Sequence, residues 1–221
     1  MIAADGQTKP VVIVRVPATS ANVGVGFDCL GIALDLTATF LMSPSEALEI
    51  DGCEERFRGE DNLVWQSYLK GCAELGGNPV PLKISILSPI PLSGGLGSSS
   101  TCVIAGVAAA QVLCRGSYDR DECLEMATRI EGHPDNVAPA IMGGLVSSFV
   151  EGDETTSTRM DIAENLAHSR EELFVIFFHG LRRTLFDKRD LVDYKIKARS
   201  DVILELTALD RAHIDKSFER F

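Results

Sequence analysis

Apolar and polar positions along the 221-residue chain follow two rhythms, one of period two and one of helical period. Val11 to Val16 is a β-branched run that predicts a strand closed by Pro17, and Ala18 to Cys29 reads as a loop of small residues. Leu30 to Met42 alternates apolar with small or polar residues, as a long strand does, and Ala47 to Ile50 continues a sheet. From Asn62 to Leu75 the apolar residues Leu63, Val64, Tyr68, Leu69 and Cys72 fall at helical intervals, and Gly76-Gly77-Asn78-Pro79 ends that helix. Leu82 to Leu87 predicts a strand, and Cys102 to Leu113 a small-residue helix running to about Cys114. Tyr118 to Ile130 predicts another helix, with Asp119 as N-cap and Glu122 at capping-box spacing. Asn136 to Met142 reads as a short helix, and Gly143-Gly144 then turns the chain into a strand, Leu145 to Val150. Leu173 to Phe178 is a further apolar strand, and 190–221 reads as charged helical sequence. Strands cluster rather than alternate strictly with helices, which predicts an α+β fold: a mixed sheet with helices on one face.

Between the strand at 82–87 and the helix that follows lies Pro89-Ile90-Pro91-Leu92-Ser93-Gly94-Gly95-Leu96-Gly97-Ser98-Ser99-Ser100-Thr101. Glycines let the backbone approach a ligand closely. The free N–H groups and dipole of the following helix favour a phosphate. The hydroxyls of Ser98, Ser99, Ser100 and Thr101 can bind phosphate oxygens or a metal, or can simply cap a glycine-rich turn. No lysine follows the glycines, so this is not a P-loop, and Gly95-Leu96-Gly97 supplies only half of a dinucleotide fingerprint because position 100 is Ser. A phosphate site without lysine needs a helix terminus and a metal ion, and therefore a carboxylate from elsewhere.

Two other segments are dense in chemically capable side chains. Pro17 to Asp28 is a small-residue loop whose hydrogen-bonding members are Asn22 and Asp28. Glu131-Gly132-His133-Pro134-Asp135-Asn136-Val137-Ala138-Pro139 packs polar groups beside two prolines, a composition suited to binding, although no second His or Cys stands at metal-ligand spacing. Glu125, on the preceding helix, is the kind of carboxylate the lysine-free loop requires, and Glu122 competes for that role. Magnesium takes one or two protein oxygens together with nucleotide phosphates.

Composition narrows the classes. The net charge of −11, from 21 basic and 32 acidic residues, argues against nucleic acid as a partner. Six cysteines without CxxC spacing suit reduced thiols in a cytoplasmic protein. The polar Met1–Pro10 segment, expected to be disordered, has no signal core, and no uninterrupted apolar run reaches membrane-spanning length, so no membrane partner is expected.

The three motif segments together resemble the small-molecule kinases of the GHMP superfamily, which include galactokinase, homoserine kinase, mevalonate kinase and phosphomevalonate kinase. Pro91 to Ser99 looks like their shared ATP loop, while Val14 to Asp28 and Glu131 to Ala140 are similar to the homoserine kinase branch. The resemblance runs from about Val11 to Phe178. It implies the ribosomal protein S5 domain 2-like fold over 11–152, with 153–221 as the start or remnant of a C-terminal domain. It implies ATP-dependent phosphorylation of the L-homoserine side-chain hydroxyl to O-phospho-L-homoserine, for threonine synthesis. By position, Pro89, Ile90, Pro91, Leu92, Ser93, Gly94, Gly95, Leu96, Gly97, Ser98 and Ser99 would bind ATP phosphates. Ser99 (or Ser98) and Glu125 would hold Mg2+, and Asn62 would lie near the adenine. Asn22, Asp28, His133, Asp135 and Asn136 would line the homoserine pocket. Asn136 stands where some relatives place an aspartate base, which implies a route without a dedicated protein base.

Residues 179–221 depart from the family pattern. After Gly180 there is no glycine, and the segment from His179 carries 10 Lys/Arg and 8 Asp/Glu, against 11 and 24 before it. A truncated or frameshifted end, or a diverged paralogue, is the expectation. Either the chain is an active kinase with a short second domain, or it is a kinase-like fragment that binds nucleotide or a protein partner; a homodimer would cover its open face.

Overall fold

The computed structural model describes residues 11–23 and 26–160, and the backbone of a strand at 203–207. Its elements are β1 (Val11–Ala21), β2 (Leu30–Pro44), β3 (Glu49–Asp51), α1 (Leu63–Glu74), β4 (Leu82–Leu87), α2 (Ser98–Arg115), α3 (Arg120–Glu131), α4 (Val137–Met142), β5 (Leu145–Glu151), β6 (Glu154–Met160) and β7 (Ile203–Thr207). The sheet runs β3-β4-β2-β1-β7, and β5 joins the first residues of β2 and carries β6. Among the described residues only the β3–β4 pair is parallel, so the sheet is mixed.

Strand β1 is central and buried almost continuously, as a strand covered on both faces must be. Val12, Val14, Val16 and Ala18 face the main core, which also takes Val103, Ile104 and Val107 of α2 and Tyr68 of α1. Val11 and Ile13 meet Leu41 and Leu87 in a second cluster. Helix α2 carries mostly small and β-branched apolar residues and is buried along most of its length, packing against α1, α3 and β1. Its 18 residues are long and apolar enough to cross a membrane by length and composition, but 67% of them are buried as the core helix.

The expected α+β architecture holds, and several boundaries move. Pro17 does not close β1. The strand runs on to Ala21, and a register shift between Pro17 and Thr19 absorbs the missing N–H. The segment expected as loop from Ala18 is therefore paired strand as far as Ala21, with Thr19, Ser20 and Ala21 opposite Ala33, Ile32 and Gly31. Helix α2 begins at Ser98, four residues before the expected start, because the serines form its first turn. Strand β6 is polar (Glu-Thr-Thr-Ser-Thr-Arg-Met) and was not foreseen; it pairs with β5 along its whole length, so the sheet continues past the expected boundary at 152. The expectation of helix over 190–221 fails at Ile203–Thr207, which forms β7 antiparallel to β1. Ile-Leu-Glu-Leu-Thr has strand character that charge counting over a long window hid. The expected strand at 173–178 lies outside the described residues.

Capping residues behave as their sequence context requires. Asp119 accepts from the Glu122 backbone N–H at 3.0 Å. The Glu122 side chain does not reach back as in a capping box. It binds Gln111 Nε2 at 2.8 Å and Arg115, tying α3 to α2. The six cysteines are free thiols, as expected.

Candidate active site

The loop after β4 is pinned at both ends and open in the middle. Ile90 and Leu96 are buried, whereas Leu92, Ser93 and Gly95 are exposed between them. Gly97 then caps α2 in the left-handed region at φ 66°, and no side chain caps the helix. The first N–H groups of α2 are therefore left to a ligand or water, the arrangement that binds anions. Thr101 N–H donates to Gly97 O at 3.0 Å, and Thr101 Oγ1 to Ser98 O at 2.8 Å, which holds the first turn closed.

Ser99 Oγ donates to Glu131 Oε1 at 2.6 Å, and Ser100 Oγ to the same oxygen at 3.0 Å. Glu131 is the last residue of α3, brought over the start of α2 by the packing of the two helices. The expected partner, Glu125, is elsewhere. Its carboxylate is half-exposed and lies 3.9 Å from Arg129, an i,i+4 ion pair on α3. Glu122 is committed to Gln111 and Arg115. Glu125 stands six residues before Glu131, about 600° of turn, so the two project about 120° apart around α3.

The segment after α3 folds back against β1 and β2. Thr19 Oγ1 donates to Asn136 Oδ1 at 2.9 Å, and Thr19 N–H donates to Leu96 O at 3.1 Å. A side chain at Gly97 would collide with Thr19 Oγ1 and come within 3.1 Å of Asn136 Oδ1. One at Gly31 would collide with Asp135 O. These contacts bring β1, the glycine loop and the start of α4 to one point. Asp135 is buried and its Oδ1 lies 2.5 Å from His133 Nδ1, leaving the imidazole partly exposed. Asn22 and Asp28 both have positive φ, 58° and 54°, and the Asp28 N–H donates to Asn22 Oδ1 at 2.9 Å. Ser93, at φ 59°, is the third non-glycine residue in this region among those described. Asn and Asp adopt this region readily, so Ser93 is the exceptional one of the three.

Asn62 has a structural occupation. It is buried as the N-cap of α1, accepting from Val64 N–H at 2.9 Å and Trp65 N–H at 3.4 Å and donating to Phe57 O at 2.7 Å. Thr19 and Glu131 were not singled out as site residues from sequence. Glu131 stands at the head of the motif, but Thr19 carries no signal that separates it from its small neighbours.

Residues 62–144 match the sequence model of the GHMP kinases N terminal domain. This part of the chain is a GHMP kinase N-terminal domain. The homoserine kinase of Clostridium botulinum (strain 657 / Type Ba4) is 42% identical to this chain over 157 residues, covering 71% of this chain and 53% of the relative. That of strain Alaska E43 / Type E3 is 44% identical over 152 residues, covering 67% and 51%. The chain thus spans about half the length of the curated relatives it matches. Among solved structures, the homoserine kinase of Cytophaga hutchinsonii is similar with a TM-score of 0.60 and 29% identity, over 75% of this chain and 55% of that one. A mevalonate kinase, at 18% identity and a TM-score of 0.52 over 67% of this chain and 56% of that one, shares the fold of the GHMP domain.

Proposed function

We propose that the chain acts in the ATP-dependent phosphorylation of the L-homoserine side-chain hydroxyl, with the folded body supplying the phosphate loop and part of the acceptor pocket. The observation that carries this reading is the uncapped start of α2 with two serine hydroxyls on one carboxylate, Glu131. Relatives at 41–44% identity, named homoserine kinase, support the acceptor.

The loop from Pro89 to Ser99 receives the phosphates, on the N–H groups of the first turn of α2. The oxygen-only set of Ser99, Ser100 and Glu131 fits Mg2+, a hard cation that completes its shell with phosphate oxygens and water. Bound there, Mg2+ supplies neutralisation of the phosphate charge. This assignment replaces Glu125 with Glu131.

Asn22, Asp28, His133 and Asn136 face the acceptor, and Asp135 holds the His133 ring. The homoserine oxygen attacks the γ-phosphorus, the bond to the ADP oxygen breaks, and the hydroxyl proton passes to a phosphate oxygen or water. An amide at 136 cannot take it. Such a loose transition state is served by positioning and charge neutralisation rather than by a strong base. The product, O-phospho-L-homoserine, is a precursor suited to threonine synthesis.

The test is coupled ADP release from the full chain with L-homoserine, galactose, mevalonate or no acceptor. Homoserine-dependent release with Mg2+ is expected. Acceptor-independent release, or none from folded protein, rejects the reading in favour of a nucleotide-binding fragment.

A further inference from the structure

We propose that Thr19 is a positioning residue that sets the orientation of the Asn136 amide, and through it the geometry of the transferring phosphoryl group; this rests on the kinase reading above. Thr19 lies inside the part of β1 that continues beyond Pro17, and its side chain is fully buried. A buried hydroxyl needs a partner. The partner of Thr19 Oγ1 is Asn136 Oδ1, 117 residues away in sequence and 2.9 Å away in space.

The direction of that bond matters. The hydroxyl donates, so the amide oxygen of Asn136 is the atom held against β1. The amide nitrogen is then turned away from the strand, and among the described residues nothing bonds it. An –NH2 group can only donate. It therefore suits an atom that gains negative charge during transfer, a γ-phosphoryl oxygen or the attacking acceptor oxygen. With the amide reversed, a carbonyl oxygen would face that same charge.

Thr19 also holds the glycine loop. Its backbone N–H donates to Leu96 O at 3.1 Å, one residue before Gly97. Gly97 has no side chain to keep the hydroxyl away, and a Cβ there would occupy the space of Thr19 Oγ1. One residue thus sets the phosphate loop and the Asn136 amide relative to each other. Misplacement of reacting groups by about 1 Å costs up to roughly a hundredfold in rate.

The experiment compares wild type, Thr19→Val (same shape, no donor), Thr19→Ser (donor retained), Asn136→Ala and the Thr19→Val/Asn136→Ala pair in the full chain. It reads homoserine-dependent ADP release, the KM for ATP and the side-chain amide NMR signals of Asn136, assigned by their loss in Asn136→Ala. Thr19→Val is expected to lower kcat by roughly ten- to a hundredfold with little change in the KM for ATP, and to shift the Asn136 amide pair. Thr19→Ser is expected to restore both. In the Asn136→Ala background, Thr19→Val is expected to add no further loss. Wild-type kcat in Thr19→Val, or losses that multiply in the double variant, would overturn the proposal. Absence of homoserine-dependent release in wild type rejects the kinase reading. In that case the NMR comparison still decides on Thr19, because an amide pair unmoved by Thr19→Val removes the basis of its role.

Discussion

Ser99 Oγ lies 2.6 Å from Glu131 Oε1, joining the first turn of α2 to the last residue of α3. Ser100 shares the same oxygen at 3.0 Å, so one carboxylate gathers two hydroxyls at a helix start with no side-chain cap.

This relationship separates two glutamates. Glu131→Gln is expected to raise the Mg2+ concentration for half-maximal ADP release by at least the roughly 10- to 100-fold typical of groups around a metal. Glu125→Gln, which loses only a half-exposed ion pair with Arg129, is expected to titrate like wild type. Magnesium titrations of the two variants decide, and equal effects would sink the assignment to Glu131.

Two glycines of the loop differ in a way that melting experiments can read. Both have positive φ, 68° at Gly95 and 66° at Gly97, but Gly95 faces open space whereas Gly97 abuts Thr19. Gly95→Ala bears the backbone strain alone, about 1–2 kcal/mol. Gly97→Ala adds a collision with a buried hydroxyl and should be the less stable of the two by denaturant unfolding. It should also weaken nucleotide binding. The reverse order would contradict the described junction.

Asn136→Asp tests whether the reaction lacks a protein base. A positioned base contributes roughly 10²–10⁴-fold, and no gain of that kind is expected from the new carboxylate. The Thr19 hydroxyl can still donate to an aspartate oxygen, so the variant keeps its anchor. A large rise in kcat would show that the wild-type site was short of a base.

Alkaline pH should destabilise the domain through its buried thiols. Burial pushes the Cys123 thiol from the usual 9.0 up to about 12, and burial does the same to Cys102. In the unfolded chain these thiols ionise near the usual value, while in the fold they stay neutral. Their contribution is therefore full below pH 9 and is lost as pH rises toward 12. The melting temperature should fall steadily above pH 9, and the fall should be shallower in Cys123→Ala. Equal pH slopes would remove burial of this thiol as the cause.

Much of this molecule was readable from local pattern. β4, α1 and α3 follow the periodicity of their apolar residues to within a residue or two, and Asp119 caps the helix it was expected to cap. β6 and β7 escaped for different reasons. β6 is a polar edge partner of β5 with no core face to announce it. β7 is a five-residue strand inside a highly charged segment, visible only once β1 offers an edge to pair with.

The sequence by itself determined the ingredients of the site: a glycine-serine run before a helix, an Asn–Asp loop after a strand, and a polar motif between two helices. Glycine and small-residue patterns are local, and their backbone consequences follow from their own chemistry. Which side chains meet was decided only by tertiary packing. That Ser99 meets Glu131 while Glu125 meets Arg129 depends on how α3 is rotated against α2. The bond from Thr19 to Asn136 depends on β1 and α4 closing over Gly97 across a separation of 117 residues. No periodicity along the chain encodes a rotation about a helix axis or the orientation of the Asn136 amide, because both are fixed by neighbours that the chain brings in from elsewhere.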